Sequence, residues 1–136
     1  MIVVDASALA AFVLKEPGWK ELSRYLVNSI SVDHIVKEVS NSIWRACIVK
    51  KVIDVEQALK LYGILKSLIG ANILLEPEER YVGEAFKLAL KNGITVYDAL
   101  YVALAKEKRL PLLTLDEGQA KAAEKLKIET IYISEV

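Results

Sequence analysis

Cysteine and histidine are scarce in this sequence, and their scarcity excludes several kinds of functional site. The 136 residues include one cysteine, Cys47, and one histidine, His34. An intrachain disulfide is therefore impossible, and a zinc site built from Cys and His ligands is excluded by number alone. A Ser-His-Asp triad would have to use His34, and the residues around it do not resemble a nucleophile elbow. We expect a protein of a reducing compartment, the cytoplasm.

Charge of one sign and long apolar runs are lacking as well. The 18 Lys and Arg residues balance the 18 Asp and Glu residues, so the net charge of +0 gives no general attraction to nucleic acid. No run reaches the roughly 18 uncharged apolar residues of a membrane-spanning helix. The N-terminus, MIVVDAS, also lacks the basic start and apolar core of a signal peptide. We expect no membrane association, and any contact with nucleic acid must come from a local patch.

The sequence does contain apolar segments in regular alternation. Its hydrophobic fraction of 54% is enough for a core and for a subunit interface. Short apolar runs predict strands over residues 2–5, 30–33, 73–75, 112–115 and 130–133. Amphipathic spacing predicts helices over residues 6–14, 18–28, 35–51, 55–69, 78–91, 96–108 and 117–126. This order predicts one three-layer α/β/α domain over residues 1–136, with a parallel sheet covered on both faces.

Four carboxylates lie where a strand ends or among apolar neighbours on a helix. Asp5 and Asp116 directly follow strand-like runs, whereas Glu38 and Asp98 lie on predicted helices. An acid in such a place is costly unless a positive group meets it. Because sites in open parallel sheets form beyond the carboxyl ends of the strands, we expect Asp5 and Asp116 to lie close together. If all four acids converge, the natural partner is a hard cation such as Mg²⁺, and the natural chemistry is phosphodiester hydrolysis.

Each of these acids also has a purely structural interpretation. Asp5 and Asp116 could serve as helix N-caps. Asp98 lies in a first helical turn, where the helix dipole favours an acid, and Glu38 could be a solvated helix residue. Taken singly the acids are ambiguous, and it is their joint occurrence that favours a functional site.

Polar residues near the acids are candidates for supporting roles. Ser7 and Thr114 could orient the carboxylates through hydrogen bonds, or they could bond nearby backbone instead. Asn41 lies three residues after Glu38 on the same helix face and could position it. Arg45 lies about two turns beyond Glu38 and could bind a substrate phosphate, with a surface salt bridge as the alternative.

Two tyrosines, Tyr97 and Tyr101, flank Asp98. They could stack on an unpaired base, although packing in the core is the expectation favoured here. We assign His34 a structural role, because no acid–base partner for it can be named from the sequence.

Four segments, in order, resemble one known family. The segments VVDASAL, EVSNSIWRA, TVYDALYVALA and PLLTLDEG are similar in sequence and spacing to PIN-domain proteins, the metal-dependent ribonuclease fold found in VapC-type toxins. The resemblance covers nearly the whole chain. It implies a five-stranded parallel sheet, with catalytic and metal-binding roles for Asp5, Glu38, Asp98 and Asp116. It also implies Mg²⁺ or Mn²⁺ dependence and cleavage of single-stranded RNA.

The same resemblance implies an activity and partners. We expect a divalent-metal-dependent endoribonuclease, the toxin of a toxin–antitoxin pair, neutralised by a small antitoxin protein and forming a homodimer. The alternative is a non-catalytic PIN-like module that binds RNA or protein. A phosphotransfer domain on a similar sheet is disfavoured, because haloacid-dehalogenase-like phosphatases need a second carboxylate where this chain has Ser7.

Overall fold

The elements of the fold come from a computed structural model that describes residues 1–133. Residues 134–136, the last three of the predicted domain, lie outside the described residues. The described strands are β1 (Ile2–Val4), β2 (Ser29–Val32), β3 (Ile73–Glu76), β4 (Leu112–Thr114) and β5 (Thr130–Tyr132). The described α-helices are α1 (Ala6–Val13), α2 (Trp19–Leu26), α3 (His34–Trp44), α4 (Val55–Leu68), α5 (Val82–Asn92), α6 (Val96–Lys108) and α7 (Glu117–Lys125).

The five strands form one parallel sheet in the order β3-β2-β1-β4-β5. Every residue of β1, β2 and β4 is buried. Because successive side chains of a strand point to opposite faces, the sheet is covered on both sides, as the apolar runs predict. The chain builds outward from β1 to β3 and then returns to add β4 and β5 on the other side. The switch point of the strand order therefore lies between β1 and β4.

The helices form two groups that pack against this sheet. Helices α1 to α4 pack on one another, and α5 to α7 form the second group, in which α6 contacts β1, β2 and β4. Residues 99–105 of α6 are all buried, as their unbroken apolar run predicts. Within residues 1–133 no helix is both long enough and apolar enough to cross a bilayer.

The helix ends follow local sequence signals. Asp54 caps α4 in a reciprocal capping box with Gln57, and Thr95 caps α6 by accepting the amide of Asp98. Gly93 ends α5 in the left-handed conformation, with φ 66°. These interactions are confined to one turn of chain, which is why the sequence predicts them well.

Two predicted helices differ from the structure. The helix predicted over 35–51 stops as an α-helix at Trp44 and continues as a π-helical turn over Arg45–Val49, in which the Lys50 amide donates to the Arg45 carbonyl at 2.8 Å. The helix predicted over 78–91 begins with a 3₁₀ turn, Glu78–Tyr81. Both changes lie at helix ends, where carbonyls and amides lack α-helical partners and other patterns compete.

The burial of α6 leads to a first prediction. Leu104 is fully buried, whereas Leu90 on α5 is 71% exposed. Leu104→Ala should lower the free energy of unfolding by about 2–5 kcal/mol because it leaves a cavity beneath the sheet. Leu90→Ala, the matched control, should change it by no more than about 0.5 kcal/mol. Urea unfolding measures both, and equal effects would contradict the assignment of α6 to the core.

Candidate metal centre

Asp5 lies directly after the central strand and is completely buried. Its Oδ1 accepts the backbone amide of Ala8 at 2.9 Å, so Asp5 does cap α1. The Ser7 hydroxyl lies 2.8 Å and 2.7 Å from the two carboxylate oxygens, and the Thr114 hydroxyl donates to Oδ2 at 2.6 Å. The Asp5 carboxylate thus accepts three of the roughly four hydrogen bonds that a carboxylate can accept. The cap and the site interpretation are therefore compatible for this residue.

The two hydroxyl groups tie β1 to the loop after β4. Ser7 Oγ accepts the Leu115 amide at 2.9 Å, and Thr114 Oγ1 accepts the Asp116 amide at 2.9 Å. Because each hydroxyl oxygen already accepts a backbone N–H, its own hydrogen is directed to Asp5. The contacts predicted for Ser7 and Thr114 with the carboxylate are present, and their roles in a reaction stay predictions.

Asp116 and Asp98 meet at Gln119. Asp116 Oδ2 accepts the Gln119 amide at 2.8 Å and thereby caps α7, while Gln119 Nε2 donates to Asp98 Oδ1 at 3.3 Å. The Gln119 side chain is 2% exposed, and its Oε1 has no hydrogen-bond partner among residues 1–133. A buried carbonyl oxygen without a donor costs about 1–3 kcal/mol, so an oxygen in this position is suited to meet a cation or an ordered water.

The position of Gln119 contrasts with an identical motif elsewhere in the chain. Both α4 and α7 begin with Asp-x-x-Gln, yet in α4 the Gln57 side chain accepts the backbone amide of Asp54 at 2.9 Å and closes a capping box. In α7 the amide of Asp116 already donates to Thr114. The Gln119 side chain is therefore released from capping and is directed toward Asp98.

The acids at the switch point repel one another. Burial raises the pKa of Asp5 to about 7, and the charge of Asp116 adds to that rise. Burial likewise raises the pKa of Asp98, again with help from Asp116. Within residues 1–133, no lysine or arginine forms an ion pair with any of the three. A bound cation would relieve this repulsion.

Glu38 joins the other acids through a tyrosine. Its Oε1 accepts the Tyr101 hydroxyl at 2.5 Å and lies 3.4 Å from His34 Nε2. Burial raises the pKa of Tyr101, and the charges of Glu38, Asp5 and Asp98 raise it further. The Tyr101 hydroxyl therefore remains protonated and donates to Glu38. His34, for which the sequence alone names no acid–base partner, contacts Glu38.

The donor set suits a hydrated hard cation better than a closed cage. Among the described residues, no three His, Cys, Asp or Glu side chains are arranged to hold one metal ion together. Mg²⁺ keeps several waters and is usually bound by only one or two carboxylates. Asp98, Asp116 and the unpartnered oxygen of Gln119 are oxygen donors of the kind that would suit such an ion. The residues therefore fit a divalent cation by donor chemistry.

The remaining predicted site residues lie farther out. Asn41 is exposed, and the partners of the Glu38 carboxylate in the described chain are Tyr101 and His34 instead. Arg45 is exposed at the start of the π-helical turn. The predicted roles of Asn41 and Arg45 stay predictions.

Two residues of the site were missed by the sequence interpretation. For Tyr101 the sequence favours core packing, with base stacking as the alternative, and it gives no signal that singles out Gln119. A signal existed for Tyr101, because it follows Asp98 by three residues on one helix face and a buried tyrosine needs a partner for its hydroxyl.

Known proteins are similar to this chain in sequence and in fold. The family profile described as "PIN domain" matches residues 2–125. The chain is 33% identical over 134 residues to "Ribonuclease VapC3" of Pyrobaculum aerophilum, covering 88% of this chain and 92% of the relative. It is 28% identical to "Exonuclease VapC9" of the same organism, covering 96% and 92%. The crystal structure of Mycobacterium tuberculosis VapC20, titled a sarcin-ricin loop cleaving toxin, is similar in fold, with a TM-score of 0.68 at 17% identity over 90% and 95% of the chains.

The buried carboxyl of Asp5 leads to a prediction about stability and pH. Its pKa rises from an ordinary 3.8 to about 7 on folding, so between these values the folded state binds more protons than the unfolded state. The contribution of this group is complete below pH 3.8 and is lost as the pH rises through about 7. In EDTA, the wild type should therefore lose stability relative to Asp5→Asn as the pH rises from about 4 to about 7, with little further change above that. Urea unfolding across this range tests it, and parallel curves would contradict it.

Proposed function

The chain belongs to the PIN-domain family, and from this premise we propose that it is a divalent-metal-dependent endoribonuclease of single-stranded RNA, the toxin of a toxin–antitoxin pair. Its relatives named as a ribonuclease and an exonuclease support a nuclease activity. We propose Asp5, Asp98 and Asp116 as the residues that hold Mg²⁺ or Mn²⁺, with Glu38 as the fourth acid of the reaction.

One observation carries this proposal. Burial raises the pKa of Asp5 and of Asp98, the charge of Asp116 raises both further, and no described lysine or arginine pairs with any of the three. The unpartnered oxygen of Gln119 lies at the same place. Stored repulsion without an internal counter-charge is costly in a purely structural cluster, whereas a cation-binding site requires it.

The side chains of the site have separate tasks in this proposal. A bound divalent ion lowers the pKa of a water molecule and offsets the charge of the scissile phosphate. Ser7 and Thr114 fix the Asp5 carboxylate, and Gln119 fixes Asp98. Tyr101 orients Glu38 by donating to Oε1, which leaves the other oxygen of Glu38 to hold or accept a proton on the substrate side.

The proposed protein partners have a surface available to them. Apolar side chains are exposed along the end of α3, the π-helical turn and α4: Trp44, Ile48, Val49, Val55, Leu59 and Tyr62. Exposed apolar surface of this kind marks sites of protein association. We propose that the chain forms a homodimer and binds a small antitoxin protein, as its family resemblance implies.

One observation favours the non-catalytic alternative, a module that binds RNA or protein without cutting. In the described part of the chain no three-ligand metal site is preformed, and the Asp5 carboxylate already has donors on both oxygens. A module that only binds would retain this closed arrangement. The cleavage experiment separates the two possibilities.

We predict that circular single-stranded RNA is cut in Mg²⁺ or Mn²⁺ and left intact in EDTA. A circle has no ends, so only an endonuclease opens it. Asp116→Asn should lower the cleavage rate by about 100-fold or more, because the asparagine keeps the helix cap but weakens the hold on the ion. The readout is the linear product on a denaturing gel.

The matched control is Asp54→Asn, because Asp54 is also an N-cap aspartate but belongs to α4, outside the acid cluster. It should cleave like the wild type. Full metal-dependent activity of Asp116→Asn would refute the site. Cleavage of linear RNA alone would indicate an exonuclease, and RNA binding without any cleavage would favour the non-catalytic module.

Gln119 gives an independent test of where the ion binds. Gln119→Met keeps most of the side-chain volume but removes the carbonyl oxygen and the donor to Asp98, so Mn²⁺ affinity should fall about tenfold. Calorimetric titration with Mn²⁺ measures this without any nuclease assay. Gln57→Met, the same change in the motif of α4, should leave Mn²⁺ affinity unchanged. Equal affinities for all three proteins would place the ion elsewhere.

A further inference from the structure

An exposed aromatic platform lies beside the acids. The rings of His34 and Tyr97 are stacked, with centroids 5.0 Å apart and planes inclined by 15°. Tyr97 is 60% exposed although one of its faces is covered by the imidazole. Its open surface is therefore mainly the outer face of the ring. The expectation of core packing holds for Tyr101, which is fully buried, and is wrong for Tyr97.

The platform is held from below. The His34 side chain is only 12% exposed, and its two ring nitrogens lie 3.4 Å from Glu38 and 3.8 Å from Glu78. Glu78 is itself fixed by Lys37 at 3.2 Å and by its backbone amide, which donates to Asp33 at 2.9 Å. Because these contacts fix the His34 ring, the Tyr97 ring stacked on it loses little further freedom when a ligand stacks on its outer face.

The platform opens onto a groove of about 500 Å³ lined by His34, Lys37, Glu38, Asn41, Ser42 and Tyr97. The two rings of the platform are close in the chain to two of the proposed catalytic acids. Tyr97 immediately precedes Asp98, and His34 contacts Glu38 one helical turn away. The platform therefore contacts Glu38 and is adjacent in the chain to Asp98.

The lining of the groove suits a nucleobase better than a phosphate. Its one lysine, Lys37, is already paired with Glu78, and Glu38 adds a negative charge. The Asn41 amide and the Ser42 hydroxyl are neutral and can bond the edge of a base, while the Tyr97 face can stack on its plane. We propose that Tyr97, supported by His34, stacks on a base of single-stranded RNA beside the bond that is cut. This inference rests on the proposed ribonuclease function and names the part of the substrate that this groove binds.

Fluorescence anisotropy with short single-stranded RNA tests the platform without requiring cleavage. Tyr97→Ala should weaken binding about tenfold, as expected for loss of one base stack, while Tyr97→Phe should bind like the wild type because it keeps the aromatic face. Phe86→Ala is the matched control, because Phe86 is an aromatic residue that is 54% exposed on α5, outside the groove. It should bind RNA like the wild type.

A second set of RNAs locates the stacked base. One abasic residue is moved stepwise along the strand, and the wild type should lose about tenfold in affinity at a single position. Tyr97→Ala should lose nothing further there, because the partner ring is already gone. Such coupling would support the platform even if the RNA were never cleaved, in which case only the proposed catalysis would fail.

Other outcomes would overturn the inference. Unchanged RNA affinity and KM in Tyr97→Ala, with normal metal-dependent cleavage, would leave the ribonuclease standing and remove the platform. An equal loss at the abasic position in wild type and Tyr97→Ala would assign the base to another residue. Loss of affinity for a protein partner but not for RNA in Tyr97→Ala would make this groove a protein-binding surface instead.

Discussion

The site depends on one interaction, the hydrogen bonding of a buried carboxylate between two neighbouring strands. Asp5 directly follows β1. The Ser7 and Thr114 hydroxyl oxygens accept the backbone amides of the two residues after β4, and the hydroxyl hydrogens are directed to Asp5. The same hydrogen-bond network caps α1, fixes the start of the loop that leads to α7, and joins the ends of β1 and β4 at the switch point. An acid buried there costs stability, and the cost is reduced by these donors. The position of Asp116 follows from this network, and the position of Gln119 follows from that of Asp116.

The acids at the switch point lack the paired cations found beside other acids of the described chain. Burial raises the pKa of both Asp5 and Asp98, and the charge of Asp116 raises both further. Elsewhere in the described chain, hydrogen bonds from Tyr81 and Lys108 lower the pKa of Glu76, and a hydrogen bond from Lys106 lowers that of Glu84. Within residues 1–133, several acids at the surface are paired with lysine or arginine, and the acids at the switch point are not. This separation of charge is the physical basis of the proposed cation site.

Local signals explain what could be predicted, and tertiary contacts explain the rest. The alternation of strands and helices, the caps at Asp54 and Thr95, and the meeting of Asp5 with Asp116 all follow from short-range chemistry or from the geometry of parallel sheets. Gln119 could not be predicted, because the same Asp-x-x-Gln spacing closes a capping box in α4. In α7 the Asp116 amide donates to the Thr114 hydroxyl instead. That hydroxyl is held in place by Asp5, which is distant from it in sequence. Sequence spacing places Tyr97 and Tyr101 on one face of α6, yet the first turn of α6 extends beyond the core while the second lies within it.

The balanced net charge is consistent with this division of the site. Proteins that grip many phosphates with lysine and arginine gain affinity for any nucleic acid at low salt, and they lose it as salt rises. This chain has a net charge of +0, and the lysine of its groove is paired. In the proposed arrangement, a cation held by carboxylates binds one phosphate, and the aromatic face of Tyr97 stacks on the neighbouring base. The base contact requires an unpaired, splayed strand, because stacked bases in a duplex expose no face to Tyr97. The proposed stack therefore predicts a preference for single-stranded RNA that does not depend on general electrostatic attraction.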